Sequence, residues 1–373
     1  MVSPIISLFT FGTDKHDREI ASLGLVILFF TLSGGQMAII QGMRRIGDIA
    51  RINIISGFLA TILTLALYMA MGIGGIVPAL IVSALLLFLV SSLYVRRISI
   101  PVVSLTWRQT FQESGKMVRL GLAMMWSGLL VNAVTYAVVA MINHKFNLTA
   151  VGIYSAAFVL SGVLVNFVLQ AMSADYYPRL SNASHSKEAM VRLVNEQTEV
   201  GLLLATPGLV ATICFSPWLI RLFYSAEFMP AADLLPWFVL GCFGRVISFP
   251  LGFVMIALGK SKWFFMTETT CNLFHIFLAA ILLNLFGLKG ISITFPCVYI
   301  LYTIIVYTVA KILIQFQWRP VTTKNIIYSI TLILLSFINF LLFPKNLEVI
   351  FSVTLSILSL IFLYLGISTR IKS

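Results

Sequence analysis

Charge is what this 373-residue chain has least of: 10% of its residues are Asp, Glu, Lys or Arg, while 60% are hydrophobic. That balance excludes a soluble globular domain. The cysteines Cys214, Cys242, Cys271 and Cys297 lie far apart, and no CxxC occurs. A disulfide framework is thereby excluded, and the four read as small buried hydrophobes. HExxH, a P-loop and GxSxG are all missing, and no His, Cys and carboxylate residues cluster at metal-ligand spacing. No metal, no cofactor and no enzymatic activity are therefore expected. Long polar segments are missing too. The two longest, 96–116 and 175–198, fall short of the ~40–50 residues that a catalytic domain needs for a core. The apolar stretches are continuous rather than alternating with period two, which excludes a β-barrel. Met1–Gly12 lacks a basic flank and is too short to span, so it does not read as a cleavable signal peptide.

What the chain does have is eleven long apolar runs, near 20–41, 52–72, 75–95, 119–142, 151–173, 199–220, 234–258, 263–286, 290–310, 325–343 and 348–368. A helix of about 20 apolar residues crosses the ~30 Å hydrocarbon core. The expected class is all-α, a polytopic transmembrane helical bundle. The 25 Lys and Arg sort by loop. One alternating set, with the C-terminus, carries eighteen, among them Arg44, Arg45, Arg96, Arg97, Arg179, Lys187, Lys260, Lys311, Arg370 and Lys372. The other set carries six: Lys15, Arg18, Lys145, Arg221, Lys289 and Lys345. By the positive-inside rule the first set, and the C-terminus, are cytoplasmic. The net charge of +12 is thus a topology signal rather than a nucleic-acid footprint.

Eleven spans place the termini on opposite sides, yet nothing before residue 20 would carry the N-terminus outside. Val2–Phe11 looks like the end of a helix, followed by a polar outer loop at Asp14–Glu19. Parity therefore predicts an odd number of spans before this start; the alternative is a chain of eleven spans. The stretch 96–116, with Trp107 among alternating apolar residues, is expected to lie on the membrane surface and to link two halves. Pro207, Pro250 and Pro296 fall within spans and predict kinks.

Polar residues inside spans are costly, so their angular positions carry information. Asn132 and Tyr136 share one face of 119–142 with Gly121, Gly128 and Asn143. Asn166 and Gln170 share one face of 151–173 with Ser155 and Gly162. Glu268, Asn272 and His275 fall within about 60° of one another on 263–286. Arg245, the one cation inside a span, has Gly241, Ser248 and Gly252 within about 60° of it. Small-and-polar stripes most often mark helix–helix seams. A buried Arg is different, since its insertion costs about 2.5–3.5 kcal/mol. It is either a cation on a transport path or half of an ion pair. Glu268 on the next span is a partner in principle, but antiparallel geometry sets it nearer the cytoplasmic face. His275 is a candidate proton-responsive group, because imidazole titrates near neutrality; a satisfied interior histidine is the plainer reading.

Four segments carry a family resemblance. They are Gln41-Gly42-Met43-Arg44-Arg45-Ile46-Gly47, Val151-Gly152-Ile153-Tyr154-Ser155-Ala156-Ala157, Tyr176-Tyr177-Pro178-Arg179-Leu180-Ser181, and Phe223-Tyr224-Ser225-Ala226-Glu227-Phe228. In that order and spacing, over about residues 1–315, the chain resembles the Wzx-type O-antigen flippases, the polysaccharide transport branch of the MOP (MATE-like) exporters. The resemblance implies two lobes around a central cavity, with a start inside the third span: a partial first lobe at 1–97, a linker at 98–117, a six-span second lobe at 118–318 and two additional spans at 319–373. It implies an undecaprenyl-diphosphate-linked oligosaccharide as substrate, the bacterial inner membrane as location, and a glycan polymerase and chain-length regulator as partners. For such a substrate, the roles expected from the chemistry of the residues themselves are anion binding for Arg245, sugar contacts for Asn132, Tyr136, Asn166 and Gln170, and ion coupling for Glu268 or His275. A MATE-like small-molecule antiporter and a membrane glycan polymerase are the alternatives.

Overall fold

The computed structural model describes residues 17–98, 106–342 and 345–372. They form helices and turns, with no strand among them. The segment at 2–11 and residues 99–105 of the expected linker lie outside the described residues. Among the described residues, ten stretches are long and apolar enough to cross a membrane. The longest, Ile46–Val95, holds 50 residues and is two helices broken at Gly72–Gly75. Each of the eleven apolar runs therefore has its own helix. The chain is a multi-pass membrane protein.

The chain divides into two compact units, Met1–Ser104 and Leu105–Ser373. The first contains α1 (Asp17–Gly42), α2 (Ile46–Met71) and α3 (Ile76–Val95). α3 packs on both of the others, around buried Ile40, Ile52 and Val90. The α2–α3 turn depends on glycine. Gly72 sits at φ +57°, and a Cβ on Gly75 would lie 2.7 Å from the Leu67 carbonyl oxygen. Gln36 on α1 ties α3 by donating to Ser92 at 2.7 Å and by accepting from Ser91. Such polar clips hold helices together where lipid removes the hydrophobic drive between them.

The second unit contains α4 (Trp107–Lys145), α5 (Leu148–Asn182), α6 (Lys187–Cys214), the short α7 (Ser216–Phe223), α8 (Ala231–Ala257), α9 (Ser261–Phe286), α10 (Leu288–Ile314), α11 (Pro320–Leu342) and α12 (Lys345–Lys372). α6 and α8 are central, with 67% and 72% of their apolar windows buried. α8 packs against α5, α6 and α10; α9 bridges α10 and α4; α11 and α12 pack on α6. Pro207, Pro250 and Pro296 lie within continuous helices.

Several helix boundaries differ from the hydropathy reading, for two kinds of physical reason. First, the basic segment at 175–198 is mostly helix rather than loop. α5 runs on to Asn182, and after a turn Ser186 caps α6 by accepting from the Ala189 N–H at 3.2 Å. Pairs one turn apart, Arg179–Asp175 at 3.3 Å and Arg192–Glu196 at 3.6 Å, suit helix beyond the apolar zone. In the first turn of α6, its own backbone N–H and the Ser186 hydroxyl hold the Glu188 carboxyl below its usual range. Similarly, α4 begins at Trp107, well before its apolar run, where the Thr106 N–H donates to Gln109 Oε1 at 3.0 Å. Second, the run 199–220 is cut at Phe215. Pro217 in the first turn of α7 suits a helix start and not a helix interior.

The small-residue stripe of α8 is a close seam with α10. A Cβ on Gly244 would stand 2.9 Å from Tyr299 Cβ, and one on Gly241 would stand 3.0 Å from the Phe295 backbone carbon. Gly241→Ala is expected to cost about 1–3 kcal/mol by overpacking. The measurement is thermal unfolding in detergent. An unchanged midpoint would mean that α8 and α10 are not in close contact.

Candidate functional site

The seam of α8 and α10 opens on one side into a cavity of about 410 Å³, walled by α4, α5, α8, α9 and α10. Helical periodicity accounts for the walls. α8 contributes Arg245, Ser248 and Gly252, spaced to share one face. α9 contributes Glu268, Cys271, Asn272 and His275, and the same face continues to fully buried Ala279. α10 contributes Phe295, Val298, Tyr299 and Tyr302; α4 contributes Val131, Val134 and Thr135; Phe158 comes from α5. Aromatic packing stiffens one wall: Phe158 meets Phe295 edge to face at 5.5 Å, and Phe295 meets Tyr299 at 4.9 Å.

The arginine, the glutamate and the histidine singled out within spans, Arg245, Glu268 and His275, line this one space. Arg245 is half-buried, and its Nη1 donates to Asn166 Oδ1 on α5 at 2.7 Å. Glu268 is 9% exposed. Its Oε2 accepts from Ser127 on α4 at 2.8 Å, and its Oε1 accepts from Tyr302 on α10 at 2.8 Å. The two charges form no ion pair with each other among the described residues. Hydroxyls hold the acid and an amide holds the base. Next to the carboxylate, Trp126 Nε1 donates to Thr269 Oγ1 at 3.0 Å, a second tie from α4 to α9. The Asn272 amide turns back to the Glu268 carbonyl at 2.8 Å. His275 has no hydrogen-bond partner among the described residues.

The other residues singled out from sequence stand apart from this space. Asn132 is exposed and donates to the Gly128 carbonyl of its own helix at 2.8 Å. Tyr136 is 76% exposed, and Gln170 is also exposed. None of the three lines the cavity. The structure thus joins Asn166, Arg245, Glu268 and His275, and leaves Asn132, Tyr136 and Gln170 on the outside of their helices. Ser127, Tyr299 and Tyr302 were missed in the sequence. Hydroxyls in spans usually back-bond to their own helix, so they give little signal until the partner helix is known.

Comparison with known proteins follows the same lines. Residues 1–233 match the family described as polysaccharide biosynthesis protein. The lipid III flippase of Escherichia coli K12 is 21% identical over 306 residues, covering 80% of this chain and 71% of its own. The Shigella flexneri protein of the same name matches equally. Among solved structures, the lipid II flippase MurJ in an inward closed conformation has a TM-score of 0.56 at 16% identity, covering 95% of this chain and 73% of that one. A mutant of the Vibrio cholerae MATE transporter VcmN has a TM-score of 0.66 at 17% identity, covering 84% and 73%. These likenesses give the fold: a MOP-type, MATE-like helical bundle.

Proposed function

The chain belongs to the polysaccharide biosynthesis protein family, and from that premise we propose that it flips an undecaprenyl-diphosphate-linked oligosaccharide, such as an O-antigen repeat unit, across the bacterial inner membrane. The observation that carries this reading is Arg245, a cation lining a cavity among membrane-spanning helices, with no acidic partner among the described residues. A diphosphate is a compact, multiply charged anion, and a guanidinium in a low-dielectric space attracts it strongly. The polyprenyl tail stays in lipid while the headgroup enters the cavity, and access alternates between the two faces. Asn132, Tyr136 and Gln170 meet sugar hydroxyls only where the glycan extends beyond the cavity. Lipid-linked precursor flippases at 21% identity, matched over most of their length, support the substrate class.

Complementation tests the reading. Expressed in a cell that lacks its own flippase but makes the matching glycan, the chain is expected to restore surface glycan and to clear lipid-linked oligosaccharide from the cytoplasmic leaflet. Insertion without either change would count against it. The biased distribution of Lys and Arg supports a cytoplasmic C-terminus. A fluorescent protein fused after Ser373 is therefore expected to mature, and a periplasmic phosphatase fused there to stay inactive.

A MATE-like small-molecule antiporter is the second reading, and Glu268 is the observation that favours it. A buried carboxylate lining the cavity is the group a cationic solute would seek. Efflux of a cationic dye that is lost in Glu268→Gln but kept in Arg245→Ala would move the assignment to that class.

A further inference from the structure

We propose that Asn166 is a positioning residue that aims the Arg245 guanidinium into the cavity while leaving its charge uncancelled; this deepens, and rests on, the anion-binding reading above. The amide oxygen of Asn166 accepts from Arg245 Nη1 at 2.7 Å, joining α5 to α8. An arginine among membrane-spanning helices needs an acceptor, and a carboxylate would be the strongest one. A carboxylate at that distance would also neutralise the cation and repel any anion brought to it. An amide supplies the acceptor at no net charge. The carboxyl group on the cavity wall is arranged in the same way. Glu268 is held by Ser127 and Tyr302 rather than by Arg245. The site keeps its charges available by pairing each with a neutral group.

The local packing fixes the amide. A Cβ on Gly162, one turn before Asn166, would lie 3.1 Å from Asn166 Nδ2, so glycine leaves the room in which this rotamer sits. A role in helix packing alone makes a different forecast. For packing, Asn166→Asp should be as good as the original or better, because it bonds Arg245 more strongly, and Asn166→Ala should be the harmful change. For charge preservation, Asn166→Asp is the worse of the two.

The test is binding of farnesyl diphosphate, a short polyprenyl diphosphate, to the purified full chain in nanodiscs of neutral lipid at near-neutral pH. Asn166→Asp is expected to weaken binding about 10–100-fold, the range of one hydrogen bond to a charged group. Asn166→Ala is expected to weaken it less. Binding by Asn166→Asp equal to or tighter than by Asn166→Ala overturns the proposal. Should Asn166→Asp not yield monodisperse protein, Asn166→Gln takes its place: it keeps a neutral acceptor, so it is expected to bind better than Asn166→Ala, and binding no better overturns the proposal. Arg245→Ala separates the two levels. If it binds the probe like the parent chain, the anion-site reading itself fails. If it loses binding while Asn166→Asp does not, only the role of Asn166 fails.

Discussion

Arg245→Ala is expected to abolish glycan export in the complementation assay while leaving protein level and insertion unchanged. Two energies set the size of the effect. Opposite unit charges about 4 Å apart at an effective dielectric of ~20 attract by about 4 kcal/mol, which is a ceiling near a thousandfold in affinity. A single hydrogen bond to a charged group contributes about 1.5–3 kcal/mol, which sets a floor near tenfold. Stability is expected to move the other way, or not at all. Removing a cation from the membrane interior relieves a desolvation cost, and what remains at Asn166 is one neutral amide oxygen beside a cavity. Loss of function with retained folding therefore separates a ligand-binding role from a structural one. Arg245→Lys sharpens the point. It keeps the charge but loses the planar fork and the fixed reach to Asn166, so partial export is expected. Full export by the alanine variant would remove the cation from the mechanism.

Arg245 was legible in the sequence because an ionised group within an apolar run has few innocent explanations. The helix count was legible for a similar reason: every span must be apolar for about 20 residues, whatever it packs against. The faces were harder. Periodicity puts Asn132 and Tyr136 on one side of α4, and Asn166 and Gln170 on one side of α5, but it does not say what that side meets. In the structure Asn166 reaches Arg245, whereas Gln170, one turn further on, is exposed. The spacing that groups two residues on a face does not give them one partner. The hydroxyls of Ser127 and Tyr302 could be found only from the packing of α4, α9 and α10. Their sequence neighbours give no hint that a carboxylate on a third helix is shared between them. The helix ends near 107, 182 and 187 were missed because hydropathy reports where lipid stops, and a helix capped by Thr106 or Ser186 and laced with charge pairs need not stop there.

Glu268→Gln is expected to separate binding from the pH response of transport. The carboxylate is 9% exposed and each oxygen accepts one hydroxyl, so the ionised form has both donors it needs without a cation. A proton added there turns one acceptor into a donor. The hydroxyl that faces it, Ser127 on α4 or Tyr302 on α10, then turns its own hydrogen elsewhere and accepts that proton, so the hydrogen bonds tying α9 to its neighbours are rearranged. An anion at Arg245 would share a cavity with this carboxyl group, so the two sites are placed to be coupled, and couplings of this kind are reciprocal and commonly about 5–150-fold. Glutamine has nearly the same shape and is neutral at every pH, so it holds the site in its protonated character. Transport by Glu268→Gln in vesicles is thus expected to respond to an imposed pH gradient at least about fivefold less than the parent chain, while farnesyl diphosphate still binds. His275 is the control within the same cavity. It lines the space but bonds to no neighbouring helix among the described residues, so His275→Ala is expected to keep the pH response. The opposite pair of results, a lost response in His275→Ala and an intact one in Glu268→Gln, would assign the coupling to the imidazole and leave Glu268 as a polar tie between helices.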